Sequence, residues 1–129
     1  MSSPIKTYRD LVVWQKAMSL VTEVYEVSRR FPKEELYGIT SQLRRAAVSI
    51  PSNIAEGHAR RSRSEYARLV QIAIGSLNEL QTQLEITVNL KYLSKTDFER
   101  LEDRFREIDR MLSSLFEKLS LPQIPPHRK

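Results

Sequence analysis

The chain has 129 residues, of which 40% are hydrophobic and 29% are charged, a balance typical of one packed domain. It contains only three glycines, which disfavours an all-β fold because such folds need many turns with positive φ. It contains no cysteine, which excludes a disulfide framework, a thiolate zinc site and a cysteine nucleophile. Two histidines are too few for most metal or acid–base sites. The composition predicts a helical domain that is not an enzyme.

Positive charge is concentrated in one part of the sequence. The chain carries 21 Lys and Arg against 16 Asp and Glu, a net charge of +5. Six arginines but no lysine fall between positions 44 and 68, namely Arg44, Arg45, Arg60, Arg61, Arg63 and Arg68. The planar guanidinium group binds phosphate or carboxylate through two hydrogen bonds. This block predicts a nucleic acid, an acidic protein or an anionic surface as partner.

No segment reaches the roughly 18 consecutive apolar residues that a membrane-spanning helix needs. The segment Met1 to Lys6 lacks the apolar core that marks a secretory signal peptide. We therefore expect a cytoplasmic protein without a membrane partner, an expectation that agrees with the lack of cysteine.

The first predicted helix covers residues 11–28. Its apolar residues recur at alternating intervals of three and four, which places Trp14 and Tyr25 on the buried face. We expect Asp10 to cap the start of this helix. Pro32 ends it, because the residue before a proline is kept out of the α region.

The second predicted helix opens near Lys33 and is interrupted by Pro51, which lacks an N–H group and crowds the carbonyl of the preceding turn. The helix either bends at Pro51 or stops and restarts with Ser52 or Asn53 as its cap. We favour a bend, because the apolar spacing continues in phase beyond Pro51. Gly57 is a candidate C-terminal cap.

The third and fourth predicted helices are the longest. The third begins with the capping-box pattern Ser62–Glu65 and continues to Val88. The fourth follows a cap within Ser94–Asp97 and runs to Leu119 with regular spacings of three and four. Glu102 and Arg106 are expected to form a stabilising pair one turn apart.

Several apolar residues fall beside the main stripes of these two helices. They would be exposed in a monomer, and exposed apolar patches commonly mark an interface. We therefore predict an oligomer interface formed by Ile72, Ile86, Leu90, Met111 and Phe116.

Four long amphipathic helices with short connections predict an all-α fold, an antiparallel up-down-up-down four-helix bundle with its second helix kinked at Pro51. Residues 1–8 form an N-terminal extension and residues 9–120 form the bundle. The proline-rich residues 121–129 are expected to be extended or disordered.

The sharpest local feature places Arg60, Arg61 and Arg63, with His58, beside the N–H groups that start the third helix. A helix N-terminus next to guanidinium groups can bind an anion. The functional interpretation is contact with nucleic-acid phosphates, to which Arg68 would add. The alternative is a solvated corner that carries ordinary surface charges.

A metal site is not expected. A di-iron bundle needs two Glu-x-x-His patterns, and neither His58 nor His127 follows a glutamate at that spacing. The three glycines lie too far apart to form a phosphate-binding loop. The sequence therefore predicts no catalytic residue, no cofactor and no metal.

Arg44 and Arg45 adjoin the apolar stripe of the second helix, so two roles are open. In the first role they extend the basic surface and contact nucleic acid. Alternatively, one of them forms a buried Arg–Glu pair, with Glu56 on the same segment, that satisfies groups freed at Pro51 or bridges subunits.

The stretch YGITSQLRRAAVSIPSNIAEG at positions 37–57 carries a family resemblance, with supporting matches at 11–17 and 75–84. These segments closely resemble the 23S rRNA intervening-sequence protein family, also called four-helix bundle proteins. The resemblance extends over nearly the whole chain. Ile39 and Gln81 stand where leucine and glutamate are expected.

The resemblance implies an antiparallel four-helix bundle that assembles as a homopentamer. Distant relatives include the accessory protein of diversity-generating retroelements, a basic pentamer that binds nucleic acid and a reverse transcriptase. No catalytic residue is implied. Repetition around a ring would strengthen a weak phosphate contact by avidity.

The sequence thus predicts a non-enzymatic, oligomeric protein that binds RNA or DNA through backbone contacts and with little sequence specificity. The alternative is a scaffold whose basic face docks an acidic protein, as in a reverse-transcriptase accessory role.

Overall fold

The structure, a computed structural model, describes residues 4–122 and contains four long helices. They are α1 (Val12–Ser28), α2 (Ile39–His58), α3 (Arg63–Asn89) and α4 (Lys95–Ser120). Two short 3₁₀ turns, Tyr8–Asp10 and Lys33–Glu35, precede α1 and α2. The described residues form no strand. The predicted all-α four-helix architecture is confirmed, whereas residues 1–3 and most of the predicted tail, residues 123–129, lie outside the described part.

Along α1, residues later in the chain contact residues earlier in α4. Lys16 near the start of α1 pairs with Glu107 at 3.0 Å, and Arg30 just after α1 pairs with Asp97 at 3.1 Å. The hydroxyl of Ser49 in α2 lies 2.8 Å from that of Ser76 in α3. Gly57 at the end of α2 lies against Tyr66 at the start of α3. These contacts indicate opposite directions for α1 and α4 and for α2 and α3, whereas the full up-down-up-down order of the four helices stays a prediction.

The core runs along the inside of the bundle. All four helices contribute to it because their apolar residues repeat at intervals of three and four, which keeps them on one face. The largest fully buried side chains are Leu20, Val24, Leu43, Ile50, Ile54, Leu77, Leu80, Leu84, Leu101, Phe105, Ile108 and Leu112.

The starts of α1 and α2 differ from the prediction. Asp10 does not cap α1: its carboxylate accepts the N–H groups of Lys6 and Thr7, at 2.8 and 3.1 Å, and closes the first 3₁₀ turn. These backbone hydrogen bonds hold the pKa of Asp10 below its ordinary value. In turn, α2 begins at Ile39 and not near Lys33, because residues 33–35 form a separate 3₁₀ turn.

Pro51 lies inside an uninterrupted α2. The alternative in which the helix stops and restarts is therefore wrong. Asn53 serves as no cap, since its side-chain amide donates to the Ser49 carbonyl at 2.8 Å and to the Ser49 hydroxyl at 2.9 Å. The kink at Pro51 stays a prediction.

Gly57 is not the predicted C-terminal cap. It is buried within α2, and no described glycine has a positive φ. A Cβ at this position would lie 2.8 Å from Cδ1 of Tyr66, so the glycine allows the end of α2 to approach α3 closely. Within residues 4–122 a positive φ, of 67°, occurs instead at Lys91 in the turn before α4.

The predicted serine caps are present. The hydroxyl of Ser62 accepts from the N–H of Glu65 at 3.3 Å, and that of Ser94 accepts from the N–H of Asp97 at 3.1 Å. At Ser62 only this half of the capping box forms. The predicted Glu102–Arg106 pair is wrong, because Arg106 instead pairs with Asp103, three residues before it.

Candidate nucleic-acid interface

Of the six arginines predicted to bind nucleic acid, four lie close together where α2 ends and α3 begins. Arg60 and Arg61 lie in the connecting turn, Arg63 is the first residue of α3, and Arg68 lies on its exposed face. All four side chains are exposed. We call Arg60, Arg61, Arg63 and Arg68 the basic corner.

Two of these arginines already have partners. Arg60 forms an ion pair with Glu56 at 2.6 Å, and Arg63 donates to the backbone carbonyl of Lys118 at the end of α4. The side chains of Arg61 and Arg68 form no ion pair or hydrogen bond with any residue in the described range 4–122. One carboxylate thus neutralises part of the corner, and two guanidinium groups remain open to solvent.

The first turn of α3 is partly occupied by its own side chains. The Ser62 hydroxyl caps one backbone N–H and lies 2.8 Å from the Ser64 hydroxyl. His58 is half-buried, unlike the four arginines, and its ring packs edge-on against Tyr66 at 6.1 Å between centroids. Burial raises the pKa of Tyr66, which keeps its phenol neutral.

A shallow hollow of about 490 Å³ adjoins the basic corner, between the start of α3 and the end of α4. Arg63 and Arg68 form one side of it, and Phe116, Leu119 and Leu121 provide its apolar surface. The corner therefore combines charge with a partly apolar floor.

Arg44 and Arg45 do not join the corner. Arg44 lies roughly 21 Å along α2 from His58, given the rise of 1.5 Å per residue. The six predicted arginines thus separate into two groups, near opposite ends of α2.

Arg44 makes contacts within the subunit. Its Nε donates to the Ser28 hydroxyl at 2.8 Å, and its guanidinium lies 4.5 Å from the centre of the Tyr25 ring. The alternative in which one of the two arginines pairs with Glu56 within the subunit is therefore wrong, because Glu56 pairs with Arg60. A pair that bridges subunits stays a prediction. Arg45 points outward and is exposed.

The two aromatic residues assigned to the core have different environments. Trp14 packs against the core and contacts Tyr8 edge-on, with 5.1 Å between ring centroids. Tyr25 is 38% exposed, so its placement in the core is wrong. It lies at the edge of the α1 stripe, where Arg44 covers one face of its ring.

The residues predicted to form an oligomer interface fall into two groups, one exposed and one half-buried. Ile72 and Ile86 on α3, and Leu90 just after it, are 40 to 49% exposed. Met111 and Phe116 are half-buried and pack against the core of their own subunit. Whether any of these residues meets another chain stays a prediction.

Sequence reasoning missed an apolar hollow between α1 and α2. It is lined by Tyr25 and Arg44 together with Tyr37, which is 93% exposed, and Val48. The signal was the width of the α1 stripe, which exceeds what one neighbouring helix can cover.

Within residues 4–122 no group of three His, Cys, Asp or Glu side chains could hold a metal ion. No helix in this range is long and apolar enough to cross a membrane.

The model of the 23S rRNA-intervening sequence protein family matches residues 9–114, which is most of the chain. The protein belongs to this family. Neither the family's description nor that of its structural neighbour names a catalytic activity.

One similar crystal structure is a protein of unknown function from the S23 ribosomal protein family of Bacteroides thetaiotaomicron. It superimposes with a TM-score of 0.74 at 23% sequence identity, over 82% of this chain and 99% of the other. This likeness supports the fold of the intervening-sequence protein. No curated protein matches the sequence.

Proposed function

We propose that this 23S rRNA-intervening sequence protein binds nucleic acid, RNA in the first place, through phosphate contacts made by the basic corner. The observation that carries the proposal is the pair Arg61 and Arg68, exposed and without a partner among residues 4–122, beside Arg60 and Arg63. Guanidinium groups bind phosphate through paired hydrogen bonds, and a cluster of them releases counterions from the nucleic acid.

The ion pair that Arg60 forms with Glu56 does not prevent this role. Arg60 and Glu56 are both about half exposed, with side-chain exposures of 42% and 53%. Such surface pairs contribute only about 0 to 1 kcal/mol and are screened by salt. A phosphate can therefore share the Arg60 guanidinium without a large loss of stability.

The chain shows no pattern for reading base edges, so the binding we propose is largely independent of sequence. RNA and DNA both offer phosphates, and binding to each is part of the test. We also propose that the protein is a homo-oligomer, a homopentamer by resemblance, that acts in the cytoplasm. Repeated corners on one particle would bind one polyanion with avidity.

The second candidate is a scaffold that docks an acidic protein. The hollow beside the corner favours it, because Phe116 and Leu119 offer apolar contacts next to Arg63 and Arg68. An acidic amphipathic segment would complement both features. After nuclease treatment, a protein that copurifies at fixed stoichiometry and is lost from the Phe116→Ser variant would support this alternative.

The test of the main proposal is the double variant Arg61→Ala/Arg68→Ala. We expect its affinity for a single-stranded RNA at low salt to fall roughly tenfold, because two phosphate contacts per chain are lost. Fluorescence anisotropy measures this affinity. Arg29→Ala/Arg110→Ala is the matched control, since it removes the same charge from exposed positions away from the corner. Equal affinity of the two double variants would contradict the proposal.

A further inference from the structure

An open apolar groove runs between α1 and α2. Two adjoining hollows of about 610 and 340 Å³ share Val48 and follow the outer edge where these helices meet. Trp14, Met18 and Tyr25 line the α1 side, and Tyr37 stands at one end. We call this surface the α1–α2 groove. Met18, Tyr25 and Val48 are 38 to 43% exposed, so the described chain leaves part of each side chain open to solvent, although Arg44 covers one face of the Tyr25 ring.

A second apolar surface lies on α3. Ile72, Glu79 and Ile86 follow one another at intervals of seven, with Gly75 and Leu90 beside them, so these residues share one outer face. We call these five residues the α3 ridge. No Lys or Arg occurs between positions 69 and 90, so the ridge is acidic as well as apolar.

Gly75 is unexplained within a single chain. It lies in the middle of α3 with an ordinary negative φ, and a Cβ added there would meet nothing within 4 Å. Glycine weakens a helix relative to alanine, so neither packing nor backbone conformation inside the subunit accounts for it. The remaining use of such a glycine is to let another molecule approach the backbone closely. This observation indicates that the ridge is a contact surface.

The groove and the ridge complement each other. The ridge from Ile72 to Ile86 is roughly 21 Å long, and the α1 side of the groove from Trp14 to Tyr25 is roughly 17 Å long. The groove is bordered by the exposed Arg45, and the ridge presents Glu79. A groove that faced another groove would oppose two arginines, which disfavours a symmetric contact.

We propose that the α3 ridge of one copy of this chain packs into the α1–α2 groove of a second copy. The proposal rests on the self-association included in the proposed function and names the two surfaces that carry it. Because the surfaces differ, the contact is head-to-tail, and successive copies close into a ring or extend as a filament. Met111 and Phe116 take no part, since they pack within their own subunit.

Two substitutions test the contact in the full chain. Val48→Lys places a charge in the groove, and Gly75→Leu fills the space at the ridge. We expect each to raise the dissociation constant of the oligomer at least tenfold, roughly the effect of losing one central contact. Sedimentation velocity over a range of concentrations measures this constant.

Val12→Lys is the matched control. Val12 is a valine that is 51% exposed, compared with 41% for Val48, and it does not line the groove. We expect the control to sediment as the wild type does. Circular dichroism confirms that each variant keeps its helical content, so a loss of mass reports on association. An oligomer that is unchanged by both Val48→Lys and Gly75→Leu would overturn the proposal.

A mixing experiment isolates the charge contact between copies. Within one chain Arg45 and Glu79 line the same hollow between α2 and α3, and no ion pair joins them there. Arg45→Glu and Glu79→Lys should each weaken association, and a mixture of the two variants should form heavier particles than either alone. Contacts within one chain cannot produce this rescue. The absence of rescue would refute the pairing of these two residues.

The outcomes separate this proposal from the function it rests on. If the wild type is monomeric at all concentrations, both the self-association and the contact fall, while RNA binding by the basic corner is measured independently. If the wild type is an oligomer and both Val48→Lys and Gly75→Leu remain oligomeric, self-association is supported but this interface is contradicted.

Discussion

At the residue scale, the turn before α4 shows what the sequence does not reveal. Lys91 has a φ of 67°, its N–H donates to the Val88 carbonyl, and the N–H of Tyr92 donates to the Thr87 carbonyl. These bonds form a Schellman motif, which glycine favours at the position of Lys91. The end of α3 was predictable from its fading periodicity. The positive φ was not, because lysine gives no signal for it.

We expect Lys91→Gly to raise the free energy of unfolding by about 0.5 kcal/mol. Glycine removes the steric cost of a positive φ, and part of that gain is offset by the greater freedom of the unfolded chain. Urea denaturation monitored by circular dichroism measures the change. Lys95→Gly, at the first residue of α4, is the comparison and should lower stability. A destabilised Lys91→Gly variant would contradict the strain at this turn.

Tyr25 and Gly57 show why residue environments are harder to predict than helices. Periodicity places Tyr25 on the buried stripe, but the distance between α1 and α2 decides that this edge stays open. Similarly, a glycine near a helix end suggests a cap, whereas Gly57 is needed for close contact with Tyr66. Both depend on a neighbouring helix that the local sequence does not specify.

At the element scale, charged residues join α1 to α4. Glu23 contacts both Arg100 and Arg104, and Asp97 contacts Arg30 at 3.1 Å and Arg100 at 2.8 Å. Burial acts to raise the pKa of Asp97, but hydrogen bonds from Arg100, Arg30 and Ser94, with the Arg100 charge, hold it below its ordinary value. Asp97 is therefore more acidic in the folded chain than in the unfolded chain.

The lowered pKa of Asp97 determines how the free energy of unfolding changes with pH. A carboxylate with a lowered pKa stabilises the fold at pH above its unfolded value of about 3.9, and this contribution is lost as the pH falls through the lower folded value. We expect Asp97→Asn to lower the free energy of unfolding at pH 7 by about 1 kcal/mol. The difference from the wild type should shrink as the pH falls below the unfolded value and vanish once the pH lies below the lowered folded pKa of Asp97. Denaturant titrations at several pH values measure it, and a difference that persists at low pH would contradict this account.

The helices themselves were largely predictable, because their apolar residues repeat with the helical period over many turns. The beginning of α2 was not. Leu36 continues the apolar phase of the helix and yet is 45% exposed, because it follows a separate 3₁₀ turn. The continuity of α2 through Pro51 is consistent with core packing on both sides of the proline, where Ile50 and Ile54 are fully buried.

At the scale of the whole molecule, arginines that are close in sequence do not form a single site. The arginines at positions 44 to 68 are close in sequence, and one of the two roles open to Arg44 and Arg45 joins them to a single surface. In the structure α2 carries Arg44 and Arg45 towards one end of the bundle, and the basic corner lies at the other. The corner itself was predictable, because its residues fall within one short turn. The α1–α2 groove was not, since it is formed by residues far apart in the chain.

The salt dependence of RNA binding tests the central claim most directly. Each phosphate contact to a single strand adds about 0.7 to the slope of log Kd against log salt concentration. We expect a steep slope for the wild type and, for Arg61→Ala/Arg68→Ala, a slope that is smaller by at least roughly 1.4, since two contacts are lost per chain. A slope that is the same for both proteins would show that the basic corner does not contact phosphate.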